Sequence, residues 1–234
     1  MKKSLLILLT FIGVLSHGVY AQNLLGIRGA RFLPGEIRME DGSTKKGLIQ
    51  IPRRPSSQKV KFRTTEESEK QTIRIQNIKS FTVTSDLGKQ YTLESNYIDQ
   101  SRRAGAKRVT KFRIFLLVEL KGHASLYKIG DAFRTDKDGT LHLFSSNAGD
   151  GSGAVNFTYY IKKKGADYAE IFTYENPVNG FFPDVSRRSV VKAMETHLPE
   201  YPELIEKVKT KEIDQMNLSE IFTLYNNYMS KNNQ

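Results

Sequence analysis

The chain has 234 residues, no cysteine, and 36 Lys and Arg against 25 Asp and Glu, for a formal charge of +11. Without Cys, thiol catalysis, disulfides and Cys-ligated zinc are excluded, and the fold must be held by its apolar core alone. The positive balance favours anionic partners through long-range attraction and carries no information about the fold.

Lys2 and Lys3 precede an apolar run, Leu5 to Leu15. The run is shorter than the roughly 20 residues that span a bilayer. Val19 and Ala21 stand at the −3 and −1 positions before Gln22. This is the pattern of a secretory signal peptide cut between Ala21 and Gln22. Residues 1–21 are therefore read as a targeting segment. No Cys follows the cut to carry a lipid anchor, and no later stretch is long and apolar enough to be a membrane helix.

Residues 22–33 form a short lead-in. Gly35 to Ile51 then reads as strand, turn, strand. Ile37 and Met39 alternate with polar residues, Asp41-Gly42 supplies the turn, and Pro52 ends the return strand. A basic loop from Arg53 enters a short strand at Lys59 to Phe62, and a second short strand is expected around Ile73 and Ile75. Phe81 and Val83 alternate with Ser and Thr, and after the turn at Ser85 to Gly88, Tyr91 and Leu93 return on the same face. Short alternating runs between turn signals predict an antiparallel β domain.

Ser101 to Lys111 interrupts this pattern with basic residues. The densest apolar run outside the leader follows, Phe112 to Ile129. Ile114, Leu116, Val118 and Leu120 share one face, while Phe115 and Leu117 put bulk on the other. A strand apolar on both faces is covered on both faces. With Gly122 and His123 as a turn, the run predicts a central hairpin. Asp138-Gly139 turns into a strand at Leu141 to Phe144. After a Gly/Ser loop from Ser145 to Ala154, Val155 to Ile161 alternates again, and Gly165 turns into a strand at Tyr168 to Tyr174.

Beyond Pro177 the apolar period changes from two to about 3.6. Val190, Val191, Met194 and Leu198 form one stripe, with Asp184 or Ser186 as cap and Pro199 as stop. Pro202 suits a first helical turn. Asn217 with Glu220 three residues on resembles a capping box ahead of Leu218, Ile221, Phe222 and Tyr225. The predicted fold class is α+β. An antiparallel β domain over residues 22–176, either a sandwich or a pair of small barrels, is followed by a helical tail over 180–231 that buries its apolar faces on it.

The segments GEIRMEDGSTKKGLI, VKF, IQNIKSFTV, FLLVELKGHASLYKI and YYIKKKG resemble an uncharacterised family of signal-peptide-bearing, β-rich envelope proteins of Gram-negative bacteria. The ending LPEYPELIEKVKTKEIDQMNLSEIFTLYNNY is similar to the helical tail of that family. The resemblance covers most of residues 22–234 and rests on turns and hydrophobic alternation. It implies an envelope location (periplasm, outer-membrane periphery or outside the cell) and brings no activity, cofactor or functional residue with it.

Local signatures of chemistry are absent. Outside the leader the histidines are His123, His142 and His197, none at metal-ligand spacing with another ligand. Asp136 to Gly139 resembles the start of a calcium loop, but its Gly comes at the fourth position instead of the sixth, and a hairpin turn accounts for it. Gly149 to Gly153 is followed by a strand and not by the helix a phosphate cradle requires. No G-x-S-x-G elbow occurs, and Glu66, Glu67 and Glu69 read as solvated acids in a polar loop. Tyr159, Tyr160, Tyr168 and Tyr174 are read as strand-packing residues, with sugar stacking as the alternative.

The basic segments stand out. Arg102, Arg103, Lys107, Arg108 and Lys111 occur with no acid among them. Arg53, Arg54, Lys59, Lys61 and Arg63 form a second set, and Lys162 to Lys164 a third. If they converge, they make a patch suited to anionic polysaccharide or lipid phosphate. The plain alternative is a set of solvated loops. Nucleic acid is not expected, because few aromatics are interleaved for base stacking. The sequence thus leans toward an exported, cofactor-free binding protein without enzymatic activity, acting on anionic polymers, a membrane surface or an envelope protein. A hydrolase whose site is assembled in space and a structural envelope subunit are the alternatives.

Overall fold

A computed structural model describes residues 31–101, 107–145, 157–178 and 182–232. The leader with its expected Ala21/Gln22 cut, the Gly149 to Gly153 loop, and Arg102 and Arg103 lie outside the described residues. In chain order the strands are β1 (Phe32–Met39), β2 (Thr44–Gln50), β3 (Lys59–Arg63), β4 (Gln71–Arg74), β5 (Ile78–Thr84), β6 (Gln90–Ile98), β7 (Ile114–Leu120), β8 (Ala124–Ile129), β9 (Ala132–Thr135), β10 (Leu141–Phe144), β11 (Phe157–Lys163), β12 (Tyr168–Val178) and β13 (Phe182–Asp184). Three helices follow: α1 (Arg187–His197), α2 (Pro202–Lys209) and α3 (Leu218–Asn232). The α+β class, with antiparallel strands first and helices last, is the one expected.

Eleven strands join in the order β13-β12-β11-β8-β7-β6-β5-β1-β2-β3-β4, while β9 and β10 pair apart from them. The turns lie where the sequence put them, with Gly42, Gly88, Gly139 and Gly165 all at positive φ. Phe81 faces Leu93 and Val83 faces Tyr91, as the shared alternation of β5 and β6 predicts. One pairing was not visible in the sequence. β12 returns to β6 in parallel register, Tyr168 opposite Tyr97 and Ala169 opposite Ile98. Strands β6, β7, β8, β11 and β12 thereby close into a five-stranded barrel.

The hairpin of β7 and β8 serves three cores. Inside the barrel, Ile114, Leu116, Tyr127, Tyr160, Ile98 and Ala169 pack together. On the opposite face of β7, Phe115 meets Phe81 edge-on at 5.2 Å. This second core is enclosed by the arm of β1 to β5 and by Phe133 and Leu141 of the β9–β10 hairpin. Ala124 and Leu126 on the outer face of β8 join a third core with Ile161, Phe172 and the apolar stripes of the helices. Each fully buried side chain of this size contributes about 1.5–3 kcal/mol.

The helices follow their sequence signals with two differences of detail. Ser186 precedes α1 without a side-chain cap bond, and Pro202 opens α2. At α3, Asn217 Oδ1 accepts from the Glu220 amide at 3.2 Å, while Asn217 Nδ2 donates to Glu220 Oε2 at 2.9 Å. The reciprocal bond thus runs between side chains and leaves the Asn217 backbone out. One buried amide ties α3 to the hairpin: Asn226 Oδ1 accepts from Ala124 N at 2.8 Å, and Nδ2 donates to Ala124 O at 3.0 Å. Gly122 permits this approach, since a Cβ there would lie 2.3 Å from Asn226 Cγ.

Replacing Asn226 with Ala would leave both Ala124 backbone groups buried and unpaired, at a cost of about 2–4 kcal/mol. Urea unfolding of Asn226→Ala, Gly122→Ala and the double variant should show costs that do not add, because both changes act on one contact. Additive costs would contradict the clasp. Asn232→Ala, at the exposed end of α3, should change stability by less than about 0.5 kcal/mol.

Candidate functional site

The basic segment after β6 is anchored at its base. Asp99 Oδ1 accepts from the Ser101 amide (2.8 Å), the Ser101 hydroxyl (2.6 Å) and the Arg108 amide (3.0 Å). Burial pushes the Asp99 pKa up, but those bonds and the charge of Lys107 outweigh it and hold the carboxyl below its usual range. Asp99 also bridges to Val109, Gln100 N donates to Arg108 O, and Thr110 N donates to Ile98 O. Residues 98–101 and 108–110 are therefore joined by a short ladder.

Lys107 turns back onto the fold. Its Nζ donates to Tyr168 Oη at 2.6 Å, and that bond keeps the ammonium group above its ordinary range. Arg108 and Lys111 are exposed and have no carboxylate partner among the described residues. Arg113 pairs with Glu40 and lies over the Tyr97 ring at 5.4 Å. Between these charges Val109 and Phe112 are exposed, Phe112 at 48 %.

The second basic segment is brought against the first. Phe115 N donates to Pro55 O at 2.9 Å, and Gln58 Nε2 donates to Arg113 O at 3.2 Å. Arg53 and Arg54 are exposed on the same connection, and Lys59 begins β3 directly opposite Arg74 of β4. Like charges facing each other across a strand pair are unfavourable. The third set divides. Lys163 Nζ reaches Glu200 at 2.6 Å, whereas Lys162 Nζ donates to Asn96 Oδ1 at 2.8 Å.

Lys162 belongs to a polar cluster where the barrel opens. Glu94 accepts from Lys121, and Tyr127 Oη donates to Glu94 Oε2 at 3.0 Å. Burial first, then the charges of Lys162 and Lys79, pull Lys121 down to about 8. Burial and the Arg113 charge lower Lys162 as well, and burial pushes Tyr127 up to about 12. A groove of about 260 Å³ lies alongside, lined by Lys79, Lys121, Glu94, Glu36 and Arg38. Sequence analysis did not single out Asn96, Lys79 or Lys121. The period-two pattern of β11 held a usable signal, since it places Lys162 on the same face as the buried Tyr160.

The histidines do not converge. His123 lies beside the Tyr225 ring at 6.3 Å, and His142 Nε2 pairs with Asp136 Oδ2 at 2.8 Å on the β9–β10 hairpin. His197 Nδ1 is 3.4 Å from Glu170 Oε2 in a cleft of about 380 Å³, with Lys107, Tyr168 and Thr196 on its walls. The Thr196 hydroxyl is committed to Lys192 O at 2.8 Å. The cleft thus holds an imidazole beside a carboxylate, with no hydroxyl bonded to the imidazole among the described residues. Nor do three His, Asp or Glu side chains there stand together as a metal site. No described helix is long and apolar enough to cross a membrane. Of the tyrosine run, Tyr160 is buried in the barrel and Tyr159 Oη donates to Glu175 at 2.7 Å, both packing roles.

No family model, curated protein or solved structure matches the chain.

Burial lowers the His197 pKa from its ordinary 6.5, with Glu170 only partly opposing the effect. The unfolded chain therefore takes up this proton first as pH falls. His197 leaves stability untouched at pH 8 and removes it as pH drops from about 6.5 toward the folded value, with a slope of at most about 1.4 kcal/mol per pH unit. Unfolding free energies measured from pH 8 to 5 should fall less steeply for His197→Gln than for the wild type. An identical slope in the two proteins would refute the assignment.

Proposed function

We propose that the chain is an exported, non-enzymatic binding protein that meets anionic lipid surfaces through its basic end. The observation that carries this reading is the junction in which Phe115 N donates to Pro55 O and the Gln58 side-chain amide donates to Arg113 O. It joins the connection that carries Arg53, Arg54 and Lys59 to the stretch that follows Arg108 and Lys111, segments that lie far apart in the sequence. Exposed Phe112 and Val109 favour a lipid surface over a soluble polysaccharide. Apolar side chains flanked by Lys and Arg gain by entering the headgroup boundary while the charges stay at the phosphates. The signal-type leader, with Lys2, Lys3 and the Ala21/Gln22 junction, supports an encounter outside the cytoplasm, in the periplasm or at the outer-membrane periphery.

The enzymatic alternative draws its support from the pairing of His197 with Glu170. Among the described residues no hydroxyl is bonded to the imidazole, and the cleft's other carboxylate, Asp167, is exposed, whereas the common hydrolytic mechanisms require a positioned nucleophile or two carboxylates in contrasting environments.

Co-sedimentation with phosphatidylglycerol vesicles over a salt series tests the proposal. Wild-type binding should weaken steeply with salt. An Arg108→Gln/Lys111→Gln variant should bind more weakly at low salt and show a shallower salt dependence. Phe112→Ser should lose the residual binding that persists at high salt. Equal binding by all three proteins, or binding to a uronate polymer and not to vesicles, would overturn the lipid-surface reading.

A further inference from the structure

Helix α1 begins at Arg187 without a side-chain cap from Ser186. Two side chains from the turn before α3 reach its start. Arg187 Nη2 donates to Gln215 Oε1, and the Val185 amide donates to Met216 Sδ at 3.1 Å. The turn is itself held in place. Asp214 Oδ1 accepts from Met216 N at 3.0 Å, and Asp214 O accepts from Asn217 N at 3.0 Å. Val185 is 1 % exposed and belongs to the same core as Val190 and Leu218. Its amide has a thioether as partner, and a thioether is a weak acceptor.

Met216 is also the open one among the described methionines. It is 38 % exposed, whereas Met194 is fully buried, and Met39 and Met229 are partly buried against the arm core and the helical core. A thioether within reach of water is oxidised by hydroperoxides. The sulfur lone pair attacks one peroxide oxygen, an S–O bond forms and the O–O bond breaks. The distal oxygen takes the proton of the transferred one and leaves, as water when the oxidant is hydrogen peroxide. Sulfur loses two electrons and the peroxide gains them.

A thioether sulfur has two lone pairs, on opposite faces of its C–S–C plane. In the folded chain the Val185 N–H occupies one of them, so oxygen transfer is confined to the other. One sulfoxide epimer is then the product. Its sulfur carries positive character and no longer accepts from Val185 N, and the side chain has become polar.

We propose that Met216 is a modification site for hydroperoxides. Oxygen is delivered to its open face alone, and the sulfoxide releases the Val185 amide at the start of α1. This site is independent of the surface reading above.

The full chain would be treated with hydrogen peroxide, folded and, in parallel, unfolded in urea. Peptide mass spectrometry reads which methionines have gained oxygen. After digestion, reductases specific for each sulfoxide epimer read the stereochemistry. In the folded chain Met216 should be oxidised ahead of Met39, Met194 and Met229, and one reductase should repair most of the product. In urea these methionines should react alike, and Met216 should give both epimers in near-equal amounts. Oxidation should lower the melting temperature by about 2–4 °C, the effect of one weakened hydrogen bond in a domain of this size. Met216→Leu keeps the volume and removes the acceptor. It should melt below the untreated wild type, and the same dose of peroxide should lower it no further. Should that variant fold poorly, the epimer ratio of the wild type decides the matter. Oxidation of Met216 no faster than of Met194, an even mixture of epimers from the folded chain, or a melting temperature unchanged by oxidation would each overturn the proposal.

Discussion

Strand β7 is apolar on both faces, and most of the architecture follows from the need to cover it twice. Ile114 and Leu116 require one core and Phe115 another, all three being almost fully buried. A single sheet with one wet face cannot supply both. The chain meets the need by closing five strands around one face and folding the β1–β5 arm over the other. At its far end β7 passes Leu120 to the helical core, where Asn226 satisfies both backbone groups of Ala124. Loosening this hairpin would disturb all three cores together.

Covering β7 twice also decides where charge can go. The strands that form the cores end in loops, and at one such end the 53–59 connection meets the chain at Arg113 and Phe115. Within the barrel, alternation leaves inward positions near the opening that are not apolar. Glu94, Asn96, Lys162 and Tyr127 occupy them, next to Ile98, Leu116 and Tyr160. The barrel therefore has an apolar part and a polar part. The transition falls on β6 itself, where Asn96 and Ile98 are successive inward residues.

Much of the local structure was legible because it is encoded by neighbours. Phe81 and Val83 announced the register with Leu93 and Tyr91, and Pro202 announced the start of α2. What the sequence hid depends on distant partners or on very short patterns. Closure of the barrel rests on two residue pairs, Tyr97 with Tyr168 and Ala169 with Ile98, and neither strand end carries a mark of it. Strand β9 has four residues, AFRT, too few for a period to emerge. The basic segments were visible as composition, but their meeting was a condition that only the Pro55–Phe115 contact could satisfy. Lys107 looked like its neighbours in the sequence, yet Tyr168 draws it away from the exposed loop. The three-lysine run divides for a simple reason: adjacent residues on β11 face opposite sides, so Lys162 enters the barrel while Lys163 meets Glu200.

A barrel interior under selection for stability alone would place apolar residues at positions 96 and 162. Replacing a buried polar pair by well-packed apolar groups is often neutral or stabilising, whereas keeping the pair carries a desolvation cost. Solubility does not explain them either, since Asn96 is hidden from water and the exposed surface is already rich in Lys and Arg. Fold specificity is a weak explanation, because the register of β6 and β11 is already set by their apolar neighbours Leu93, Ile98, Tyr160 and Ile161. The pair is held by its own hydrogen bond, Lys162 Nζ to Asn96 Oδ1 at 2.8 Å, so that removing either partner alone leaves the other polar group without it.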